Sequence, residues 1–265
     1  MREGACGLAS IRHVGDDASR MKSYSQFGED VLLWGHFGGR RHGFFVEAGA
    51  NHPTVCSQTW LFEQQGWKGI LIEPISDKYE LLRKERPGST VMRLALGAPE
   101  QRGRARLNVA AGQDGLSGLV VNDGVAVERL EEVEVRTLDE VLAEAGDPKL
   151  DLVSIDVEGL ELQVLRGFDL ERHRPGVLIV EDHLQRMGVH RFIVRHGYRL
   201  VKRTGCNNWY VPRGSGFTLS TPAEKLGLKK EIWLDTPVRC VRFFFKRWWG
   251  RRRKQSGHYV RKEGI

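Results

Sequence analysis

The stretch Phe44-Phe45-Val46-Glu47-Ala48-Gly49-Ala50-Asn51-His52-Pro53 constrains this chain more than any other. Aromatic and β-branched residues in an unbroken run form a buried strand, and the small residues after it let backbone approach a ligand closely. A second apolar run, Gly69-Ile70-Leu71-Ile72-Glu73-Pro74, also ends on an acid. In nucleoside-binding α/β folds an acidic side chain about 20 residues past the glycine turn accepts hydrogen bonds from ribose hydroxyls. Gly49 stands alone, without the Gly-x-Gly-x-x-Gly spacing that cradles a pyrophosphate. The two strands together therefore propose a nucleoside cofactor.

The rest of the chain alternates between strand and helix patterns. After a helical face formed by Val31, Leu32, Trp34 and Phe37 comes the opening strand, and Pro53 then predicts the first position of a helix running to about Gln65. A helix with Ile75, Tyr79 and Leu82 follows the second strand, and Thr90 to Leu96 reads as a third strand. This βαβαβ order implies parallel strands joined by right-handed crossovers. Pro99 to Val127 is rich in glycine and reads as an excursion of loops and small strands over the sheet edge. Val133 to Arg136 is strand-like, and a short helix follows around Leu138 to Leu142. Leu150 to Asp156 and Gly176 to His183 are a fourth and a fifth main strand, each followed by a helix, and Tyr198 to Lys202 with Asn208 to Val211 form a closing antiparallel hairpin. The whole is an α/β, doubly wound sheet of about seven strands, with a loosely ordered leader over 1–22, a domain over 23–213 and a basic, aromatic extension over 214–265.

Ligands of such sheets bind at the carboxyl ends of the strands. Glu47, Glu73, Asp156, Glu181, Asp182 and His183 all fall there. Clustered acids repel unless a cation, a proton or a donor-rich ligand offsets them, so their convergence marks a site.

Charge is unevenly placed. From Arg239 onward there are ten Lys or Arg and one acid, so that segment carries +9 of a net +7 and the remainder carries −2. The four cysteines form no Cys-x-x-Cys pair, the first 22 residues contain no apolar signal segment, and no apolar run reaches the ~18 residues of a membrane span. These features predict a cytoplasmic protein. The tail mixes its cations with Phe243, Phe244, Phe245, Trp248 and Trp249. Residues 239–254 fit an anionic membrane surface, a nucleic-acid phosphate backbone with aromatic stacking, or a helix that packs its aromatics on the domain, and the three readings stay open.

Five stretches in order resemble the FkbM family of S-adenosylmethionine-dependent methyltransferases. They are Tyr24-Ser25-Gln26-Phe27-Gly28-Glu29-Asp30, Phe45 to Asn51, Gly69 to Pro74, Thr137 to Leu142, and Leu152-Val153-Ser154-Ile155-Asp156-Val157-Glu158-Gly159. The resemblance covers about residues 23–212. It implies a class I methyltransferase, Rossmann-like fold and transfer of a methyl group, usually to a hydroxyl of a sugar, a lipid-linked glycan or a secondary metabolite. Carried over by position, Glu47, Gly49, Ala50 and Asn51 would line the methionine side of the cofactor and Glu73 would hold the ribose. Gln26 and Asp30 would approach the same pocket, Ser117 would lie near the adenine, and Asp156 would border the cofactor. The chain departs from the family at His52-Pro53, where Asp-Gly is common. Proline has no N–H and cannot take positive φ, so the turn must close differently.

An alcohol is a poor nucleophile at neutral pH, so methyl transfer to it needs a base or a metal. His183 is the candidate base, with Asp156 as its orienter or as a metal ligand. A second version has Asp156, Glu181 and Asp182 hold Mg²⁺, although neighbours on a strand face opposite ways. Plainer roles compete: Asp156 and Glu158 could cap the following helix, Glu47 could be an acid buried on backbone amides, Glu73 could be an ordinary cap, His52 a turn residue, and His190 and His196 structural. The alternative function is nucleic-acid binding, or methylation of a nucleic acid, through the basic tail.

Overall fold

A computed structural model describes residues 21–110, 117–119, 126–182 and 187–235. The main sheet contains β1 (Phe44–Ala48), β2 (Lys68–Ile72), β3 (Thr90–Met92), β7 (Leu152–Ile155), β8 (Val177–Glu181), β9 (Tyr198–Thr204) and β10 (Asn207–Pro212), in the spatial order β3-β2-β1-β7-β8-β10-β9. All pairs are parallel except those that β10 makes with β8 and β9. The strand order reverses between β1 and β7, and such a switch opens a crevice at the strands' carboxyl ends.

Alternation along each strand sends successive side chains to opposite faces. Val46, Ala48, Ile70, Ile72, Val153 and Ile155 pack under α4 (Leu138–Glu144), α5 (Glu161–Arg166) and α7 (Gly188–Arg195). Phe45, Leu71, Leu152, Val177 and Ile179 face α1 (Glu29–His36), α2 (Trp60–Gln64) and α3 (Ser76–Glu85). The short α6 (Leu170–His173) packs Leu170 on the first of these faces. Two apolar cores thus sandwich the sheet, and the parity of a residue decides which core it joins.

Three expectations change. The helix predicted from Pro53 begins only at Trp60, because Asn51 and Cys56 take positive φ (47° and 60°) and the intervening amides bond to side chains rather than to helical carbonyls. The strand predicted over Thr90 to Leu96 divides, with β3 joining the main sheet and β4 (Ala95–Leu96) joining a second one. The predicted loop excursion contains a regular hairpin of β5 (Gly103–Ala110) and β6 (Val127–Arg136), which with β4 forms a three-stranded sheet over its own core of Ile75, Leu107, Val109, Val133 and Val135. The closing hairpin appears as expected, and α8 (Pro222–Lys230) with a π-type turn, Glu231–Asp235, follows it.

Gly49 joins the two halves of the sheet. It leaves β1 with φ 81°, and its N–H donates to the Ile72 carbonyl at 2.9 Å. A Cβ placed there would lie 1.7 Å from the Asp156 carbonyl oxygen. No side chain fits between the ends of β1 and β7. Gly49→Ala is accordingly expected to cost more than the ~1–3 kcal/mol of a strained backbone alone, read as a lower urea midpoint; wild-type stability would contradict the tight approach.

Candidate active site

A cavity of about 350 Å³ opens at the carboxyl ends of β1, β2 and β7, beneath the second sheet. Gly49, Ala50, Asn51 and Glu73 form one side of it, and Asp156 and Glu181 lie on another. Gln26, Glu47 and Ser117 also line it, Ser117 with its hydroxyl accepting from the Ala110 N–H at 2.9 Å. Asp30 does not. Its carboxylate is buried and accepts from the Ser23 and Ser25 hydroxyls and from the Tyr24 and Val31 N–H groups, at 2.6 to 2.9 Å. Asp30 folds the leading motif on itself and leaves Gln26 at the cavity. His183 lies outside the described residues.

The loop from Asn51 to Thr59 is shaped by two side chains of opposite charge. Glu47, on the α2/α3 face by parity, accepts from the Gln58 N–H at 2.8 Å and from the Ser57 and Thr59 hydroxyls. Arg86, fully buried just past α3, donates to the Pro53 carbonyl at 3.0 Å, to Thr59 Oγ1 at 3.0 Å and to Glu63 at 2.8 Å. Its guanidinium lies 4.0 Å from the Glu47 carboxylate. Burial raises the proton affinity of Glu47, and Arg86 with the Thr59, Gln58 and Ser57 donors opposes that rise. The charge of Glu47 is therefore answered from within the protein, and what it presents to the cavity is the strand end that carries Gly49. The departure at Pro53 also resolves: His52 Nδ1 accepts from the Thr54 and Val55 N–H groups and closes the turn, while buried Pro53 needs only its carbonyl, which Arg86 takes.

Glu73 is held from both sides. One oxygen accepts from the Asn51 N–H at 2.8 Å and the other from the Ile75 N–H at 2.9 Å. Burial still dominates and pushes its carboxyl up to about 7. Beside it, the Oδ1 of Asn51 is buried and has no hydrogen-bond partner among the described residues. An orphaned buried acceptor costs about 1–3 kcal/mol, so a donor from a bound molecule would complete the site.

The other wall is acidic. Carboxylate oxygens of Asp156, Glu158 and Glu181 lie within 4.8 Å of one another. The Asp156 carboxyl is held well above its usual range, by burial first and then by the Glu181 charge and a hydrogen bond with Glu181. Glu158 is pushed up to about 7 by burial and by its neighbours Glu181 and Glu161. Cys206, in the turn of the β9–β10 hairpin, bonds to Glu181, and burial pushes its thiol up to about 12. Asp182 is not in this group. Parity turns it to the opposite face, where it bears on Tyr210, while its N–H bonds to the Cys206 carbonyl at 3.0 Å. The carboxylates that the structure brings together are thus Asp156, Glu158 and Glu181, with Asp182 apart from them. Neither Asp156 nor Glu158 caps α5, whose N-cap residue is Leu160; Glu161, the first residue of the helix, instead holds the preceding turn by accepting from the Val157 and Gly159 N–H groups at 3.3 and 2.9 Å.

The family model of the FkbM methyltransferase domain matches residues 47–200, from the Glu47 of the first strand to the last β–α–β passage. The chain belongs to the FkbM methyltransferase family. As a member it is a methyltransferase that uses S-adenosylmethionine, and the seven-stranded order with one reversed strand is that of the class I methyltransferase fold. Solved structures with a similar course of the chain include precorrin-6y C5,15-methyltransferase from Geobacter metallireducens, 11% identical, covering 72% of this chain and 90% of that one with a TM-score of 0.37. A methyltransferase from Geobacter sulfurreducens is 14% identical over 69% of this chain and 75% of its own, with a TM-score of 0.37. A TehB-like methyltransferase from Corynebacterium glutamicum is 12% identical over 74% and 92%, again with a TM-score of 0.37. No curated protein matches the chain.

Three residues in or behind the walls of this cavity were not legible in the sequence. Arg86 lies in a charged helix end, Lys84-Glu85-Arg86-Pro87, where nothing separates it from a solvated arginine. Cys206 had no partner in spacing. Glu158 was open between a helix cap and a site residue; its place before Gly159 goes with the left-handed backbone it adopts (φ 55°).

Removing Arg86 as Arg86→Met leaves Glu47 and Glu63 buried beside no cation, and a loss of about 3–5 kcal/mol is expected in chemical unfolding; a loss under about 1 kcal/mol would contradict the network. Glu73 and Glu158 have folded pKa values raised from 4.5 to about 7. A raised carboxyl gives stability that is fully present below about pH 4.5 and is lost as pH rises through about 7. Melting temperature should fall across that window, and Glu158→Gln should raise it at about pH 8 while changing little at about pH 4.

Proposed function

We propose that this methyltransferase acts on a hydroxyl of a sugar, a glycan or a hydroxylated secondary metabolite. The observation that carries the reading is the acidic wall of Asp156, Glu158 and Glu181, placed across one cavity from Glu73 and the Gly49 turn. Vicinal hydroxyls are donor-rich and answer carboxylates that the protein leaves close together. When bound, S-adenosylmethionine supplies a methyl group on a positively charged sulfur.

Glu73 accepts from the ribose hydroxyls on the lone pairs that Asn51 and Ile75 leave open. Asn51 Oδ1 accepts from the ammonium group of the methionine part, and the bare backbone at Gly49 and Ala50 allows that part to lie close. Gln26 borders the cofactor from the leading motif and Ser117 closes the far side, near the adenine. Asp156 would take the proton from the acceptor hydroxyl, and the bound cofactor would supply the methyl group that replaces it. A carboxylate raised by burial is a stronger base than an exposed one, which suits this step. His183 is the second candidate for the proton, two residues past Glu181. The three carboxylates would also accept Mg²⁺, whose chemistry there is to lower the acceptor's pKa. The acceptor could be lipid-linked and met at an anionic membrane surface, to which residues 239–254, outside the described part, bring their charge.

Glu73 must be ionised to accept both hydroxyls, so cofactor affinity should climb as pH rises through about 7 and then level off. In calorimetry Glu73→Gln should weaken binding by about 10- to 100-fold at about pH 8, the equivalent of one charge-assisted bond at ~1.5–3 kcal/mol, and flatten the pH dependence. A labelled-methyl assay over sugars, sugar nucleotides and lipid-linked glycans, with and without Mg²⁺, tests the acceptor. Asp156→Asn is expected to lower kcat about 10²- to 10⁴-fold with the cofactor affinity kept; transfer to amines or thiols but to no hydroxyl would overturn the assignment.

A further inference from the structure

The segment Pro222–Asp235 is fastened to the domain by charge rather than by a core. None of the residues of α8 is buried. Its attachment to β9 consists of Lys202–Glu224 at 2.6 Å and Arg203–Glu231 at 2.7 Å, with Leu228 facing the cleft between them. Those pairs take up both acids between Pro222 and Leu234. The outward side is left with Lys225, Lys229 and Lys230, all exposed, and with three large apolar side chains, Leu226 (70% exposed), Trp233 (76%) and Leu234 (61%).

Single exposed leucines are common, but three large apolar groups within nine residues, interleaved with lysines, are a composition with a use. We propose that this face of α8 and its terminal turn seats the protein on an anionic lipid surface. The lysines answer the headgroup charge, Trp233 sits at the headgroup level, and Leu226 and Leu234 enter the acyl boundary. Charge complementarity continues along the chain, which from Arg239 onward carries ten Lys or Arg against one acid. Single-chain membrane anchoring needs two signals acting together, and an apolar patch beside a polybasic segment supplies them. A nucleic acid would engage the lysines and could stack on Trp233, but it offers nothing to the two leucines. Among the described residues no helix is long and apolar enough to cross a membrane. The attachment does not depend on which acceptor is methylated.

The test is flotation of the full chain with vesicles of phosphatidylcholine alone and with about a third phosphatidylserine. Binding is expected to the anionic vesicles and to weaken at high salt. Leu226→Ser/Trp233→Ser/Leu234→Ser should reduce it by about tenfold or more, and Lys225→Gln/Lys229→Gln/Lys230→Gln should reduce it on anionic vesicles only. Calorimetry with S-adenosylmethionine on the same variants should give the wild-type affinity, which separates loss of the surface from loss of the fold. Vesicle binding unchanged by the serine variant overturns the proposal. So does self-association in the absence of lipid that this variant abolishes, which would make the face an interface with a second copy, or binding of single-stranded RNA with none to vesicles.

Discussion

The loop that closes one side of the cavity hangs on one guanidinium. Arg86 has no exposure to solvent, and its nitrogens reach the Pro53 carbonyl, the Ser57 and Thr59 hydroxyls and the Glu63 carboxylate. Thr59 relays the contact, accepting from Arg86 and donating to Glu47. Charges taken this far from water are stable only when each has a partner and its remaining hydrogen-bonding capacity is filled. Glu47 on β1, Arg86 after α3 and the loop between β1 and α2 are therefore one unit: each satisfies a cost the others impose. The position of Asn51, whose N–H holds Glu73, follows from that unit.

The opposite wall is built on the reverse principle. Asp156, Glu158 and Glu181 stand together with no described cation among them, so burial and mutual repulsion raise the proton affinities of Asp156 and Glu158. One half of the cavity is internally neutralised and rigid, and the other awaits a proton, a donor or an ion. The alcohol methylation proposed above has use for both, since it requires a cofactor held still and a group that receives the acceptor's proton. The short contact between Gly49 and the Asp156 carbonyl ties the two walls at fixed separation.

How much of this could be read beforehand depends on the range of the interaction. The runs Phe44–Ala48, Gly69–Ile72, Leu152–Ile155 and Val177–Val180 are legible because a buried strand in a parallel sheet must be apolar along its length. The antiparallel pair β5 and β6 was seen only in fragments, as the small strands of the excursion and the run Val133 to Arg136, because each strand's partner lies across the glycine-rich stretch between them. The helix predicted at Pro53 failed for a different reason. Proline at a first helical position is a local signal, and here Glu47 and His52, which lie before it in the chain, draw the same amides into a loop.

The amino-acid sequence by itself determined the strand order of acids, Glu47, Glu73, Asp156 and Glu181, since each ends an apolar run whose burial is dictated locally. It also determined the family and the uneven charge along the chain. Only the tertiary structure decided what each acid faces. Glu47 turns to Arg86, Glu73 to two backbone amides and the cavity, Asp156 and Glu181 to one another, and Asp182 to the far side of the sheet. Those outcomes rest on strand parity and on contacts between residues up to 39 positions apart along the chain for Glu47 and Arg86, and no local pattern of residues encodes a partner at that distance.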